Sequence, residues 1–241
     1  MSSSELVLSP KQYRALAKVT KSFGTALSIS PFSQMGCFGS YSPWALDICK
    51  NARVPNSYWD ERGTIHLSSK IDPDQFRSAG ENRPEVDWSV LEDSEIYPFI
   101  TWHEIGHRMD NFCSVSVLTI TDLDVRDKCN LYLRYVNEVL ADRYAWARIR
   151  PGDPVPVNEF GKQNEERFAD QYAFLKAHCP HTSRYTRSPL SQDPYRDVPG
   201  EMLATYERAA FLGSKVDGDL LRRCVEKHKQ RESKASKSLY A

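Results

Sequence analysis

Five consecutive residues, His103-Glu104-Ile105-Gly106-His107, have the types and spacing of a metal site. On a helix, positions four apart lie one turn apart on the same face, so His103 and His107 can aim two imidazoles at one ion. Glu104 stands beside them, where a carboxylate can take a proton from a water at that ion. The surrounding text, Ile96 to Phe112, is mostly apolar and suits a helix better than a polar loop. A catalytic zinc usually takes three protein ligands and leaves one position for water, so a third ligand must come from elsewhere in the chain.

The positions where metzincin peptidases carry a Gly and a third His hold Asp110 and Cys113, and that pattern is not met. Downstream, Asn137-Glu138-Val139-Leu140-Ala141-Asp142 resembles the Asn-Glu-x-x-Ser/Ala-Asp helix of the gluzincins, the thermolysin-like group of zinc peptidases. The resemblance implies that His103, His107 and Glu138 bind zinc and that Asp142 hydrogen-bonds a ligand histidine. It also implies that Glu104 is the catalytic base in hydrolysis of peptide bonds by water activated at the zinc. Glu138 and Asp142 share a helix face, and Ala141 is small enough for a close helix crossing.

A near-copy of this stretch begins at Glu166: both read Glu-x-x-Ala-Asp-x-Tyr-Ala-aromatic. Only one of the two can complete a three-ligand site. The preceding Asn and the shorter distance from His107 favour Glu138, with Glu166 as the alternative. The order of motifs resembles compact ImmA/IrrE-like peptidases and the lethal-factor-type peptidase domain, over about residues 63–149. In such folds an edge strand ahead of the active-site helix holds substrate as an added strand. The alternating segment Gly63 to Ser69 is expected to be that strand.

Other residues are candidates by type. Tyr135, Tyr144 and Tyr172 could stabilise an oxyanion, although tyrosines at such spacing more often pack in a core. His178-Cys179-Pro180-His181 has ligand types but poor chelate spacing, and reads as the end of a helix. Cys113 reads as a buried thiol and His66 as a strand histidine that could line the cleft.

The elements that must position these groups follow from caps and periodicity. Ser9-Pro10 opens a helix to about Lys21. Residues 24–56, rich in Ser, Pro and Gly, are expected to form loops and short helices. Ser94 or Asp93 should cap the motif helix, with Pro98 in its first turn. Asp122 to Ile149 is the longest helical pattern, ended by Pro151-Gly152-Asp153-Pro154. A helix over 162–177, a long loop over 180–199, and helices over 200–212 and 217–229 complete the expectation. The fold class is therefore α+β: a helix-rich, zincin-like domain with a small sheet before the active-site helix and further C-terminal helices. Three regions are expected: an N-terminal part (1–62), the catalytic core (63–180), and a loop with closing helices and a basic tail (181–241).

Composition narrows the partners. The 241 residues carry no formal net charge, so no global field attracts nucleic acid or an anionic membrane surface. The last twenty residues hold seven Lys or Arg against two Glu, which reads as a solvated tail. No apolar run suits a membrane span, no secretory leader is visible, and six cysteines lack a CxxC pair. These features fit a cytoplasmic protein acting on a protein or peptide substrate. Two other readings fit less well: a catalytically silent zinc-containing binding module, for which Glu104 would be superfluous, and a mobile-element factor working on a regulatory protein or nucleic-acid complex.

Overall fold

The computed structural model describes residues 5–42, 63–109, 112, 117–179, 181–184, 191–203 and 209–212. It is an α+β protein, as its sequence leads one to expect. The chain forms two compact units: residues 1–110, 137–165 and 189–203 make the first, and 111–136, 166–188 and 204–241 the second. No helix among the described residues is long and apolar enough to cross a membrane.

The first unit opens with strand β1 (Leu6–Val7) and helix α1 (Pro10–Ser22). Ser9 caps α1 in a reciprocal box: its hydroxyl accepts the Gln12 N–H at 3.3 Å, and the Gln12 side chain accepts the Ser9 N–H at 3.1 Å. Next come β2 (Ala26–Ser30), the short helix α2 (Phe32–Met35), β3 (Gly39–Ser42), β4 (Thr64–Ser68) and β5 (Lys70–Ile71). The sheet order is β2-β4-β3, with β2 parallel and β3 antiparallel to β4, while β1 pairs with β5.

This corrects two expectations. The segment around Gly63–Ser69 forms the central strand, flanked on both sides, and cannot offer a free edge. Its burial explains the placement: Ile65 and Leu67 are fully covered, each such side chain contributing roughly 1.5–3 kcal/mol. Among the described residues the outer strands are β2 and β3, both from a stretch expected to be loops and short helices. Gly39-Ser40-Tyr41-Ser42 carries almost no apolar alternation, so its strand character comes from pairing with β4. Residues 43–62 lie outside those described.

Helix α3 (Pro73–Ala79), capped by Asp72, leads to helix α4 (Asp93–Met109), which holds the motif. α4 buries residues around most of its circumference, from Ile96 and Phe99 to Ile105 and Met109, as a central helix must. It starts at Asp93, and the Glu95 carboxylate accepts the Glu92 N–H at 2.9 Å. Pro98 therefore falls inside the helix, in the second turn rather than the first. Its missing N–H removes only one bond, close to the N-terminal end. The helix stops at Met109, short of Phe112.

Helix α5 (Leu123–Ile149) begins in the second unit and runs into the first. The Asp122 carboxylate accepts the N–H groups of Asp124 and Val125, and Gly152 at φ 87° follows its end. Arg150 ties it to the first turn of α4 through both Glu95 oxygens, at 2.8 and 2.6 Å. The two helices cross closely at one point. A Cβ on Gly106 would lie 2.9 Å from the Ala141 Cα and 3.1 Å from its carbonyl oxygen, so backbone itself is the obstacle. Gly106→Ala should lose roughly 1–3 kcal/mol in denaturant unfolding through overpacking, outweighing the helix-propensity gain of about 1 kcal/mol.

Helix α6 (Glu159–Gln163), capped by Asn158, lies in the first unit, and α7 (Glu165–His178) follows. The single helix expected over 162–177 is thus two, parted at Asn164. In the second unit, α7 packs Phe168 and Tyr172 face to face, their centroids 5.7 Å apart. Two strands, β6 (His181–Arg184) and β7 (Ala209–Leu212), form an antiparallel pair. They replace part of the expected 180–199 loop and of the 200–212 helix; residues 200–203 form a single 3₁₀ turn. The helix expected over 217–229 lies outside the described residues.

Candidate metal centre

α4 and α5 supply the site, which lies wholly within the first unit. From α4, one turn apart, come His103 and His107; from α5, also one turn apart, come Glu138 and Asp142. His103 Nε2 and His107 Nε2 are 3.0 Å apart. Glu138 Oε2 is 3.6 Å from His103 Nε2, and Glu138 Oε1 is 3.5 Å from His107 Nε2. Two imidazole lone pairs facing at 3.0 Å repel, so the pair must share either a proton or a cation. A tetrahedral ion with bonds of about 2.0–2.1 Å spaces its donors about 3.3–3.4 Å apart. The imidazole pair and the nearer Glu138 oxygen to each imidazole lie around that value, and one donor atom from each residue falls within 4.8 Å of the others, so His103, His107 and Glu138 form a group that could hold a metal ion.

Asp142 lies behind His103. It is fully buried, and its Oδ1 is 2.7 Å from His103 Nδ1, which leaves Nε2 as the atom aimed at the group. A carboxylate in this position fixes ring orientation and tautomer. Burial opposes the charge on His103, but Asp142, with Glu104 adding to it, raises its pKa, and the net direction is up. Among the described residues His107 has no such carboxylate partner: burial and the neighbouring His103 push it down to about 4, leaving a neutral imidazole with a lone pair to give.

Glu104 faces the same cavity but is not among the three clustered donors. It is only 4% exposed, and no described residue donates a hydrogen bond to its carboxylate. Burial, with Glu138 nearby, pushes its pKa up to about 7. Strand β3 passes directly over it: a Cβ on Gly39 would sit 2.9 Å from Glu104 Oε1 and would collide with Ile100. Gly39 therefore lets the strand lie against α4 beside the carboxylate.

The cavity has a volume of about 490 Å³. Residues 37–41 line one side, and Trp88, Phe99 and Ile100 contribute apolar surface on the other.

Arg83 carries no sequence signature and was not anticipated. It follows the 3₁₀ turn Gly80–Asn82 and is bonded at both backbone ends: its N–H to Gly80 O at 3.0 Å, its carbonyl from Asn158 Nδ2 at 3.1 Å. Its guanidinium donates from Nη2 to Glu138 Oε2 at 2.6 Å and from Nε to Asp142 Oδ2 at 3.1 Å, while stacking 4.5 Å from the Trp88 ring centre. Burial opposes the charge, yet Asp142 and Glu138 raise the Arg83 pKa above its ordinary value. Burial likewise opposes both carboxylates, but the surrounding cationic groups hold each below its usual range. Two residues on, Glu85 grips Arg143 through both oxygens, at 2.6 and 2.5 Å, so the segment is pinned to α5 twice.

The remaining candidates lie elsewhere. Glu166 is exposed on α7 and does not belong to the cluster. Tyr144 is fully buried and its hydroxyl accepts from Arg148; in the second unit Tyr135 meets Phe168 edge-on and Tyr172 stacks on it. None of the three lines the cavity. The tyrosine that does is Tyr41, its hydroxyl 3.3 Å from Arg108 Nη1. His66 is half-buried on the central strand, and the His178 ring packs on Phe174 with Cys179 buried beside it. Cys113 lies outside the described residues, as do Asp110 and Pro180. The chain matches no protein-family model, no curated protein and no solved structure.

Proposed function

We propose that this chain is a zinc metallopeptidase of the gluzincin type, acting on a protein or peptide. One observation supports the reading above others: two imidazole nitrogens and a carboxylate converge at ligand spacing in a cavity, next to a buried carboxylate that no described residue engages. The donor set suits zinc, which accepts mixed nitrogen and oxygen ligands and tolerates three protein donors with an open position. Zinc, when bound, supplies Lewis-acid chemistry, polarising a carbonyl and making water acidic near neutral pH.

The chain's own residues do the rest. His103 and His107 offer Nε2 atoms from one helix face, with Asp142 keeping the His103 proton on Nδ1. Glu104, with a pKa near neutrality and no competing donor, takes the proton of the attacking water and passes it to the leaving amine. β3 lies at an end of the described sheet, beside Glu104, and an extended peptide would align with it by backbone hydrogen bonds. Gly39 leaves no side chain between that strand and Glu104.

The test combines metal content with cleavage. The zinc-loaded protein should cut some members of a broad peptide library, lose that activity on chelation and regain it with added zinc. Stoichiometric zinc with no cleavage of any peptide would overturn the enzyme reading and leave a zinc-containing binding module.

A further inference from the structure

The geometry points to Arg83 as a positioning residue that restricts Glu138 to ligation through a single oxygen. The inference rests on the metal-binding part of the reading above, not on peptide hydrolysis. The two Glu138 oxygens are not equivalent. Oε1 faces His107 Nε2 at 3.5 Å, whereas Oε2, 3.6 Å from His103 Nε2, is also held by Arg83 Nη2 at 2.6 Å. That is a charge-assisted bond at the short end of its range. An oxygen so engaged has one lone-pair site and its orientation committed to the guanidinium, which disfavours it against Oε1 as the ligating atom. The same guanidinium reaches Asp142 Oδ2, whose other oxygen orients His103. One planar fork thus connects, through carboxylates, two of the three candidate ligands.

Arg83 is rigid enough for this task. Both backbone ends are hydrogen-bonded, and its guanidinium rests on the Trp88 ring, which in turn stacks on Phe76 with centroids 4.6 Å apart. A lysine could not reproduce it. An ammonium is a point donor and cannot span two carboxylates in a fixed plane. The effect at the ion is on coordination number. A carboxylate held to one oxygen keeps a three-residue site open for water and substrate, whereas one free to chelate adds a fourth protein bond.

Cobalt(II) is the probe, because its visible absorption is strong in four-coordinate sites and weak in higher coordination. Wild type, Arg83→Gln and Arg83→Lys would be loaded with cobalt, with occupancy measured by metal analysis and folding by circular dichroism. The wild type should show intense four-coordinate bands. Arg83→Gln should lose several-fold in intensity at full occupancy as the second Glu138 oxygen enters. Arg83→Lys, which keeps the buried charge and so protects the fold, should lose intensity by a smaller factor. A wild-type spectrum from either variant, folded and fully loaded, overturns the proposal. A wild type that binds no cobalt or zinc instead overturns the metal site itself, and the role of Arg83 with it.

Discussion

Glu104→Gln should retain zinc yet lose peptide hydrolysis by about a hundredfold to ten-thousandfold, the usual contribution of a positioned general base. The amide keeps the shape of the side chain and its cover by β3, but it cannot accept a proton. Turnover against the library, measured beside zinc content, checks both halves. The same substitution should stabilise the metal-free protein. The native Glu104 pKa of about 7 lies above its ordinary value of 4.5, so ionisation opposes folding. The wild type is unpenalised below the unfolded pKa and loses stability as pH rises through the native one. Glu104→Gln escapes that loss: in chelator it should gain on the order of 3 kcal/mol at pH 8 and almost nothing at pH 4. Denaturant melts at the two pH values read this directly. Equal stability at pH 8 would mean that Glu104 is better solvated than the structure shows.

Glu138→Ala should weaken zinc binding by at least about a hundredfold, since loss of an outer-sphere partner alone typically costs ten- to a hundredfold. Glu166→Ala should change affinity by less than about twofold, as expected of an exposed side chain outside the donor group. Competition against a zinc chelator distinguishes them, and the opposite ranking would reassign the third ligand. Glu138→Ala also removes one of two carboxylates from Arg83. Breaking a fully buried ion pair usually costs about 3–5 kcal/mol; this pair is part-buried and Arg83 keeps its Asp142 contact, so the loss should fall below that range.

How much of this could be read from the chain depends on how local the signal was. The histidine pair and the Glu138–Asp142 pair are each i,i+4 on one helix, and helical spacing alone places each pair on a common face. The cap at Ser9 was equally local and equally legible. Arg83 was not: its partners lie 55 and 59 residues away, and nothing in Asn82-Arg83-Pro84 distinguishes it from other basic residues in a polar connection. β3 was missed for a related reason. Its strand geometry comes from a neighbour, β4, rather than from its own alternation of side chains. The Gly63–Ser69 pattern was correctly read as a strand but assigned to the wrong position, because hydrophobic alternation reports a buried face and not which edges are paired. Near-copies mislead similarly: Glu138 and Glu166 share a motif, and only tertiary packing separates a site residue from a surface one.

The bracket that Arg83 forms has a consequence for which ions the site can accept. With neutral histidines and all three carboxylates ionised, Glu104, Glu138 and Asp142 set against one guanidinium would leave two negative charges around the proposed metal position. A divalent cation would balance them, whereas a monovalent or trivalent ion would leave a unit charge uncompensated. The guanidinium would thus act as a fixed counter-charge favouring a divalent ion. Without it, the same donors would carry three negative charges and lean toward harder, more highly charged ions.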